Sequence, residues 1–295
     1  MFFWLGVRPL HAQTTLASAP IVWPKTLDSL AGMVLTSLYD HERVEANREL
    51  LFRLIDTLSQ PQAYQRSYNQ LQSISRLRSP DNRFQIWTWQ LPRKGGYFQH
   101  YGLLISPSKT RNRITVLVDT AQLNPVELYK PLKPENWMGC LYYKLEILKY
   151  RGKKHYILLG YDQNNLQVRR KVVEVLQFNG RNESSIRFGD KIFETPEFQG
   201  EKIAKRPYRL VLQYGADRSA MLRWDEANNR IIMDRLVPDD ASQKGQYRFY
   251  GPDFSYDALV WKKGKFTLEE MTSIKSDINA PIVPPNKGSG LPKQR

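Results

Sequence analysis

The feature that most constrains this chain is a change in the spacing of its apolar residues near position 80. Before that point, apolar residues recur every three or four positions and mark one face of a helix, namely Leu27, Leu30, Ala31, Val34, Leu35 and Leu38. From Arg83 onward the period is two, and Trp87 and Trp89 fall on one side of an aromatic-rich strand. Ser79-Pro80-Asp81-Asn82 lies between the two regions and is a strong turn signal. The sequence therefore predicts helices followed by a β-rich body.

The helical part is predicted over residues 27–78. A second helical stretch runs from about Asp40 to Ser59 and is stopped by Pro61, which cannot continue a helix. A third and weaker helical piece is suggested by the spacing of Tyr64, Tyr68, Leu71 and Ile74.

The β-rich body is predicted over residues 79–275 as a series of short strands joined by turns rich in Gly, Asn, Asp and Lys. Strands are predicted at 84–91, 97–105, 114–119, 139–150, 155–161, 168–178, 209–214, 220–224, 230–236, 247–250, 258–261 and 266–269. Serial hairpins of this kind indicate an antiparallel meander that forms a barrel or a sandwich. Tyr161-Asp162 and Trp224-Asp225, each followed by an Asn-containing turn, leave a propeller-like repeat as an alternative. The predicted fold class is α+β, mainly β.

The two ends of the chain differ in composition from the body. Residues 2–7 are apolar and are followed by His11-Ala12-Gln13, a pattern typical of the end of a secretory signal peptide. The apolar run is short, so we interpret residues 1–26 as a truncated signal-like leader and linker. The alternative is an N-terminal extension of a cytoplasmic protein. Residues 276–295 are rich in Pro and Gly and are predicted to be a flexible tail. No apolar run is long enough to span a bilayer.

Three segments carry a resemblance to a known group of proteins. They are Ile74-Ser75-Arg76-Leu77 with the Ser79–Asn82 turn, the run YILLGYD that ends at Asp162, and Gly251-Pro252-Asp253-Phe254-Ser255-Tyr256-Asp257. Together they resemble a group of uncharacterised secreted proteins from Bacteroidota, over residues 27–270. The resemblance implies export to the periplasm or cell surface, and it implies no activity and no functional residues.

The charge of the chain is strongly positive but evenly spread. The formal net charge is +15, and residues 1–150 hold 18 basic and 11 acidic side chains, against 26 and 18 in residues 151–295. Because a nucleic-acid site needs a focused patch, this pattern does not favour nucleic acid. Basic segments at 109–113, 151–154 and 262–265 are interpreted as solvated hairpin turns. Binding of an anionic polymer stays open as an alternative.

Several carboxylates are candidates for a functional site. Asp253, Ser255 and Asp257 have the spacing with which a calcium loop begins, but Ala258 and Gly264 stand where an EF-hand needs Gly and Glu. We therefore interpret Asp253 as part of a Pro-Asp turn whose carboxylate accepts hydrogen bonds from nearby backbone amides. Asp162, Asp225, Asp253 and Asp257 would suit a glycosidase if the strand ends brought two of them to face one sugar.

The remaining motifs do not indicate a catalytic, metal or cofactor site. Cys140, the single cysteine, is expected to pack as a small hydrophobic residue. Ser106 and Lys109 match an S-x-x-K pattern but lack its companion motifs. No histidine has metal-ligand spacing, and no cofactor motif is present. Trp87 and Trp89 would line a sugar- or peptide-binding face, although core packing is the favoured use.

The sequence thus favours a non-enzymatic exported envelope protein that binds or scaffolds. The first alternative is a hydrolase of an envelope polymer, glycan or peptidoglycan, that uses strand-end carboxylates. The second is a binder of an anionic polymer. The candidate binding residues are Asp162, Asp225, Asp253, Asp257, Trp87 and Trp89, with no predicted cofactor or metal.

Overall fold

The computed structural model describes residues 26–120, 127–179 and 185–271. Within those ranges it contains two α-helices, α1 (Leu27–Thr36) and α2 (Asp40–Ser59), followed by sixteen β-strands that are almost all antiparallel. The predicted class, α+β with mainly β structure, is confirmed. The predicted leader, apart from Thr26, and the predicted tail lie outside the described residues.

The first sheet is a four-stranded antiparallel sheet that begins just before the predicted change of period. Its strands lie in chain order as β1 (Ser75–Arg78), β2 (Gln85–Pro92), β3 (Phe98–Ser106) and β4 (Arg113–Val118). The predicted turn between β1 and β2 is confirmed. The Ser79 hydroxyl oxygen accepts hydrogen bonds from the backbone amides of Arg83 and Phe84 at 2.9 and 3.1 Å.

The second sheet is built around one long central hairpin. Its strands are β5 (Leu141–Tyr150), β6 (Lys153–Asp162), β7 (Val168–Asn179), β8 (Ser185–Phe188) and β12 (Leu210–Gly215). The order across the sheet is β12-β7-β6-β5, and β8 pairs with β7 beyond the end of β12.

The third sheet holds the C-terminal hairpins of the described chain. It is ordered β13-β14-β15-β16-β9, with β9 (Phe193–Glu194), β13 (Leu222–Asp225), β14 (Arg230–Pro238), β15 (Tyr250–Lys262) and β16 (Lys265–Met271). A separate two-stranded ribbon is formed by β10 (Glu197–Phe198) and β11 (Glu201–Lys202).

The layers stack as helices, first sheet, second sheet and third sheet. Three buried apolar clusters show this order, because alternate residues of each strand point to opposite faces. Trp87 and Trp89 pack against the helices, while Ile86 of the same strand packs against the second sheet. Leu158 of β6 faces the first sheet, and Leu159 faces the third. The stacked sheets favour the sandwich over the predicted barrel and propeller alternatives.

Two local predictions were wrong. The third helical piece is only a 3₁₀ helix at Pro61–Gln65, followed by irregular chain up to β1. The four residues whose spacing suggested a helix are nevertheless buried in the core between the helices and the first sheet, namely Tyr64, Tyr68, Leu71 and Ile74. Their spacing therefore indicated burial but did not indicate a helix. The strand predicted at 247–250 is a 3₁₀ helix at Tyr247–Phe249, because β15 begins only at Tyr250.

A buried ion pair joins strands of the second sheet. Arg209 Nε donates to Glu174 Oε1 at 2.6 Å, and both side chains are fully buried. Tyr142 donates to the second carboxylate oxygen at 2.9 Å, and Arg209 Nη2 donates to the Phe188 carbonyl oxygen at 2.9 Å. Both charges are therefore neutralised and hydrogen-bonded, which a buried pair requires.

Neither of the two helices described is both long enough and apolar enough to cross a lipid bilayer.

Candidate functional site

Turns from all three sheets meet at one end of the stack. We call this the turn end and define it by the β1–β2 turn (79–84), the β5–β6 turn (151–152), the β13–β14 turn (226–229) and the β15–β16 turn (263–264). Asp81 of the first sheet accepts hydrogen bonds from Lys154 and Tyr156 of the second, at 2.7 and 2.9 Å. The sheets are thereby linked where their turns meet.

Two of these turns are built alike and touch each other. Arg151 and Gly152 have positive φ angles (47° and 79°), as do Lys263 and Gly264 (49° and 82°), as expected for tight two-residue hairpin turns. The Tyr150 ring lies directly against Gly264, where an added Cβ would collide with it. The second and third sheets therefore place their basic hairpin tips side by side.

A groove of about 670 Å³ lies beside these tips. Its lining combines an aromatic ring, two asparagines, a carboxylate and aliphatic side chains, namely Pro80, Asp81, Ile147, Leu148, Lys149, Asn228, Asn229 and Trp261. The partly buried Trp261 ring is fixed by edge contacts with His155 and Phe266, at centroid distances of 5.4 and 5.1 Å. A fixed indole beside amide side chains forms a site with an apolar platform and polar groups that orient a ligand.

The two hairpin tips carry a large positive charge. Residues 149–154 and 262–265 contain seven basic side chains and no acidic one. Four of the seven form ion pairs: Lys153 with Asp190, Lys154 with Asp81, Lys262 with Glu269 and Lys265 with Glu194. Among the described residues, the other three, Lys149, Arg151 and Lys263, have no ion-pair partner. All three are exposed, so a positive surface borders the groove.

Carboxylates at the turn end are held in their charged form. Burial alone would raise the pKa of Asp81, but hydrogen bonds from Lys154, Ser79 and Tyr156 outweigh it and lower the pKa to about 2. The same balance lowers the pKa of Asp190, where burial is outweighed by His155 and Lys153. These carboxylates serve as anchors for the basic tips.

The predicted candidate Asp225 lies at the turn end, at the last position of β13. Its Oδ2 accepts hydrogen bonds from Arg230 at 2.7 Å and from Asn228 at 2.9 Å. Burial would raise the pKa of Asp225, but these two partners lower it. Asp225 therefore fixes the turn that carries Asn228 and Asn229 into the groove.

Asp162 lies at the end of β6 away from the β5–β6 turn. It is buried, pairs with Arg170 at 3.2 Å and accepts a hydrogen bond from the Asn164 amide at 2.6 Å. Its other close neighbour is the buried His100, whose Nε2 is 3.8 Å away and whose Nδ1 is 3.4 Å from Asp119. This cluster joins the first and second sheets.

Asp253 and Asp257 lie on β15. Asp253 accepts hydrogen bonds from the amide and hydroxyl of Ser255, at 2.9 and 2.6 Å, as the backbone-bonded interpretation predicts. Asp257 pairs with Arg235 at 2.8 Å in a smaller groove of about 360 Å³, where Arg235 also contacts Glu270 at 3.2 Å. The four candidate carboxylates thus lie in separate places, each with its own partners.

The two candidate tryptophans do not form a surface. Trp87 and Trp89 are 1% and 2% exposed and face the helices. Trp89 Nε1 donates to Asn47 at 2.7 Å and Trp87 Nε1 to Gln85 at 2.9 Å, so their polar groups are satisfied inside the core. Both tryptophans therefore pack in the core, which is the use that the sequence favours.

The structure shows no metal centre in the part of the chain it describes: no three His, Cys, Asp or Glu side chains are grouped so that they could hold an ion. Cys140 is fully buried, and burial raises the pKa of its thiol well above the ordinary value, so the neutral thiol packs as a small apolar group.

The groove beside the basic tips was missed by sequence reasoning. The segments 151–154 and 262–265 were each interpreted as a solvated turn. The missing information was the contact between Tyr150 and Gly264, which brings together two segments more than one hundred residues apart. The available signal was their shared pattern, a basic residue and a glycine flanked by further lysines.

Comparison of the chain with protein-family models, with curated proteins and with solved structures finds no match.

Proposed function

We propose that the protein is a non-enzymatic binding protein for an acidic polysaccharide, and that it holds the polymer in the Trp261 groove between the basic hairpin tips. The observation that supports this most directly is the contact of the 151–152 and 263–264 turns, which concentrates the unpaired charges of Lys149, Arg151 and Lys263. Opposite charge would attract the polymer, and the groove would orient one sugar unit.

The chemistry of the lining favours a sugar. The apolar face of a sugar ring packs on an indole, and the amides of Asn228 and Asn229 offer both donors and acceptors to hydroxyl groups. A single tryptophan with edge contacts on two sides offers no series of rings for stacked bases, which single-stranded nucleic acids use.

The hydrolase alternative has less support. Asp162 lies at the end of β6 away from the β5–β6 turn and pairs with Arg170, and Asp225 is engaged by Arg230. Glycosidase chemistry needs two carboxylates on either side of one bond. The groove is lined by one carboxylate, Asp81, and Asp225 lies outside the lining, where it holds the turn; both have lowered pKa values that suit an anchor better than a proton donor.

The test is binding of the full chain to polygalacturonate, with dextran as a neutral polysaccharide and single-stranded DNA as a different polyanion. We expect binding to polygalacturonate at about 50 mM NaCl that is lost near 500 mM, because exposed charges are screened at high salt. The triple variant K149Q/R151Q/K263Q should bind at least tenfold more weakly.

A matched control carries the same loss of three charges elsewhere. Lys94, Lys202 and Lys244 are exposed and lie away from the turn end, and K94Q/K202Q/K244Q should bind polygalacturonate within about threefold of the wild type. Equal weakening by both triple variants would reduce the effect to net charge and contradict the site. Tighter binding to DNA than to polygalacturonate would replace the polysaccharide with a nucleic acid.

We also propose that the protein is exported to the periplasm or cell surface. The support is the apolar run at residues 2–7 with Ala12-Gln13 after it, and the resemblance to secreted proteins of Bacteroidota. Fractionation of the native host, with N-terminal sequencing of the recovered protein, tests it. Recovery from the cytoplasm with an intact Met1 would contradict export.

A further inference from the structure

At the end of the second sheet opposite to the turn end, two cationic side chains lie among three tyrosines. We call this group the tyrosine cluster and define it as Arg169, Lys171, Tyr143, Tyr161 and Tyr214. Lys171 pairs across the sheet with Tyr161, and Arg169 pairs with Tyr214. Because residues two apart on a strand point to the same face, the two cations stand side by side on the face toward the third sheet.

Lys171 lies between two aromatic rings. Its ammonium nitrogen is 5.0 Å from the ring centroid of Tyr143 and 5.0 Å from that of Tyr161. Tyr143 is held in place because its hydroxyl donates to the Leu222 carbonyl oxygen of the third sheet at 2.7 Å. Lys171 is partly buried, and burial lowers its pKa below the ordinary value.

Arg169 lacks one hydrogen-bond partner. Its Nε is fully buried and has no hydrogen-bond acceptor among the described residues, although the side chain also bonds the Tyr161 hydroxyl. A buried guanidinium donor without an acceptor is unfavourable, because the group has lost its hydrogen bonds to water. Within the residues that the structure describes, neither Arg169 nor Lys171 forms an ion pair with a carboxylate.

Arg170, which lies between Arg169 and Lys171 on the same strand, has partners that are typical of a structural role. Arg170 points to the opposite face, where it pairs with Asp162 at 3.2 Å and donates to Gln213. Arg170 is therefore neutralised by a carboxylate of the neighbouring strand, whereas Arg169 and Lys171 on either side of it have no carboxylate partner among the described residues. A partly buried site with two such cations and several phenol rings is complementary to a bound oxyanion.

We propose that the tyrosine cluster is a binding site for a small molecule that carries an oxyanion, either a carboxylate or a phosphate. Arg169 binds the oxyanion through its guanidinium, Lys171 supplies the second positive charge, and the rings of Tyr143 and Tyr161, which are not fully buried, pack against the rest of the molecule. The site is separate from the polysaccharide groove. Lys153 and Tyr161 are at the two ends of β6, about 26 Å apart at the usual rise of a strand.

The first test is isothermal titration calorimetry of the full chain, with benzoate and with inorganic phosphate as the ligands. We expect saturable binding of at least one of them, and the preferred one identifies the class of oxyanion. R169Q and K171M should each weaken this binding about tenfold or more, whereas K149Q should leave it unchanged. Binding of neither anion by the folded wild type, or equal binding by R169Q/K171M, would overturn the proposal.

A second test uses the unmodified protein and does not depend on the variants being folded. The rate at which acetic anhydride acetylates Lys171 is compared with the rate for Lys149, by mass spectrometry, with and without saturating anion. We expect the anion to slow acetylation of Lys171 at least fivefold and to leave Lys149 unaffected. Equal slowing at both lysines would mean that the anion acts only through general screening, and would contradict a site at Lys171. K149Q changes the polysaccharide groove and leaves the tyrosine cluster intact. Loss of polysaccharide binding and loss of anion binding are therefore distinguished by separate measurements.

Discussion

The two ends of β6 carry positive charge in different forms. At the turn end, Lys149, Arg151 and Lys263 are exposed and stand beside four further basic side chains that are neutralised by carboxylates. At the opposite end, Arg169 and Lys171 are partly buried and are surrounded by phenol rings instead of carboxylates.

We propose that this difference corresponds to two kinds of ligand. Exposed charges interact weakly one by one and are screened by salt, so they are effective only when a polymer meets many of them together. Partly buried charges are screened less and interact strongly with a single counter-ion. The turn end therefore suits a long acidic chain, and the tyrosine cluster suits one small anion.

The largest expected effect concerns the core that separates the two ends. Glu174→Gln would leave the fully buried Arg209 without its carboxylate, and we expect the free energy of unfolding to fall by about 3–5 kcal/mol. Urea denaturation followed by circular dichroism measures it. The double variant E174Q/R209M should recover part of the loss. A loss below about 1 kcal/mol for E174Q would mean that the pair is not buried as described.

The next effect tests whether the two basic hairpins touch. Gly264→Ala places a Cβ against the Tyr150 ring at a positive φ of 82°, and we expect a loss of about 2–3 kcal/mol. Gly152→Ala is the matched control, because its φ is 79° but no atom lies within 4 Å of the added Cβ, so only backbone strain of about 1 kcal/mol is expected. Equal losses in thermal or urea unfolding would show that the hairpin tips are apart.

A smaller effect, with a defined pH dependence, is expected at Asp81. Its pKa is lowered in the folded protein to about 2 from an ordinary value near 3.8, so its charge stabilises the fold above about pH 4. Asp81→Asn should reduce stability at pH 7 by about 1–2 kcal/mol, through lost bonds to Lys154 and Tyr156. The gap between wild type and variant should close as the pH falls from about 4 to about 2. A gap that is constant over this range would contradict a charged Asp81.

The smallest effect is expected at the tyrosine cluster. Lys171→Met removes a partly buried charge whose pKa is lowered by burial, and it also removes two cation–π contacts, so the two changes offset each other. We expect a change of less than about 1 kcal/mol in either direction in urea denaturation at pH 7. A loss of 2 kcal/mol or more would make Lys171 a structural residue and weaken the case for an anion site.

Much of the fold could be predicted because strands rich in β-branched and aromatic residues are separated by short runs of turn residues. Trp87 and Ile86 show the two buried faces of β2, and this local pattern is visible in the sequence. The division into three stacked sheets was not visible, because the pairing of β16 with β9 and of β7 with β12 depends on contacts far apart in the chain. The spacing of Tyr64, Tyr68 and Leu71 was misleading because irregular chain can bury the same residues as a helix.

The candidate sites were harder to predict than the fold. Carboxylates at strand ends are obvious candidates for a site in a sequence. Asp225 and Asp257 nevertheless form ion pairs with arginines, and these pairs depend on the strand register. The groove needs Trp261 of the third sheet, Lys149 of the second and Asp81 of the first to meet, which no local pattern encodes. Lys171 was overlooked because a lysine in a strand normally points to solvent, and only the position of Tyr143 across the sheet shows otherwise.

The most direct test of this account is hydrogen–deuterium exchange of the full chain with and without a saturating oligogalacturonate. We predict slower exchange in peptides covering residues 149–154, 226–229 and 262–265, and no change in peptides covering residues 168–172. Protection of residues 168–172 alone, or of none of these segments in a sample that binds the oligosaccharide, would contradict a polysaccharide site at the turn end.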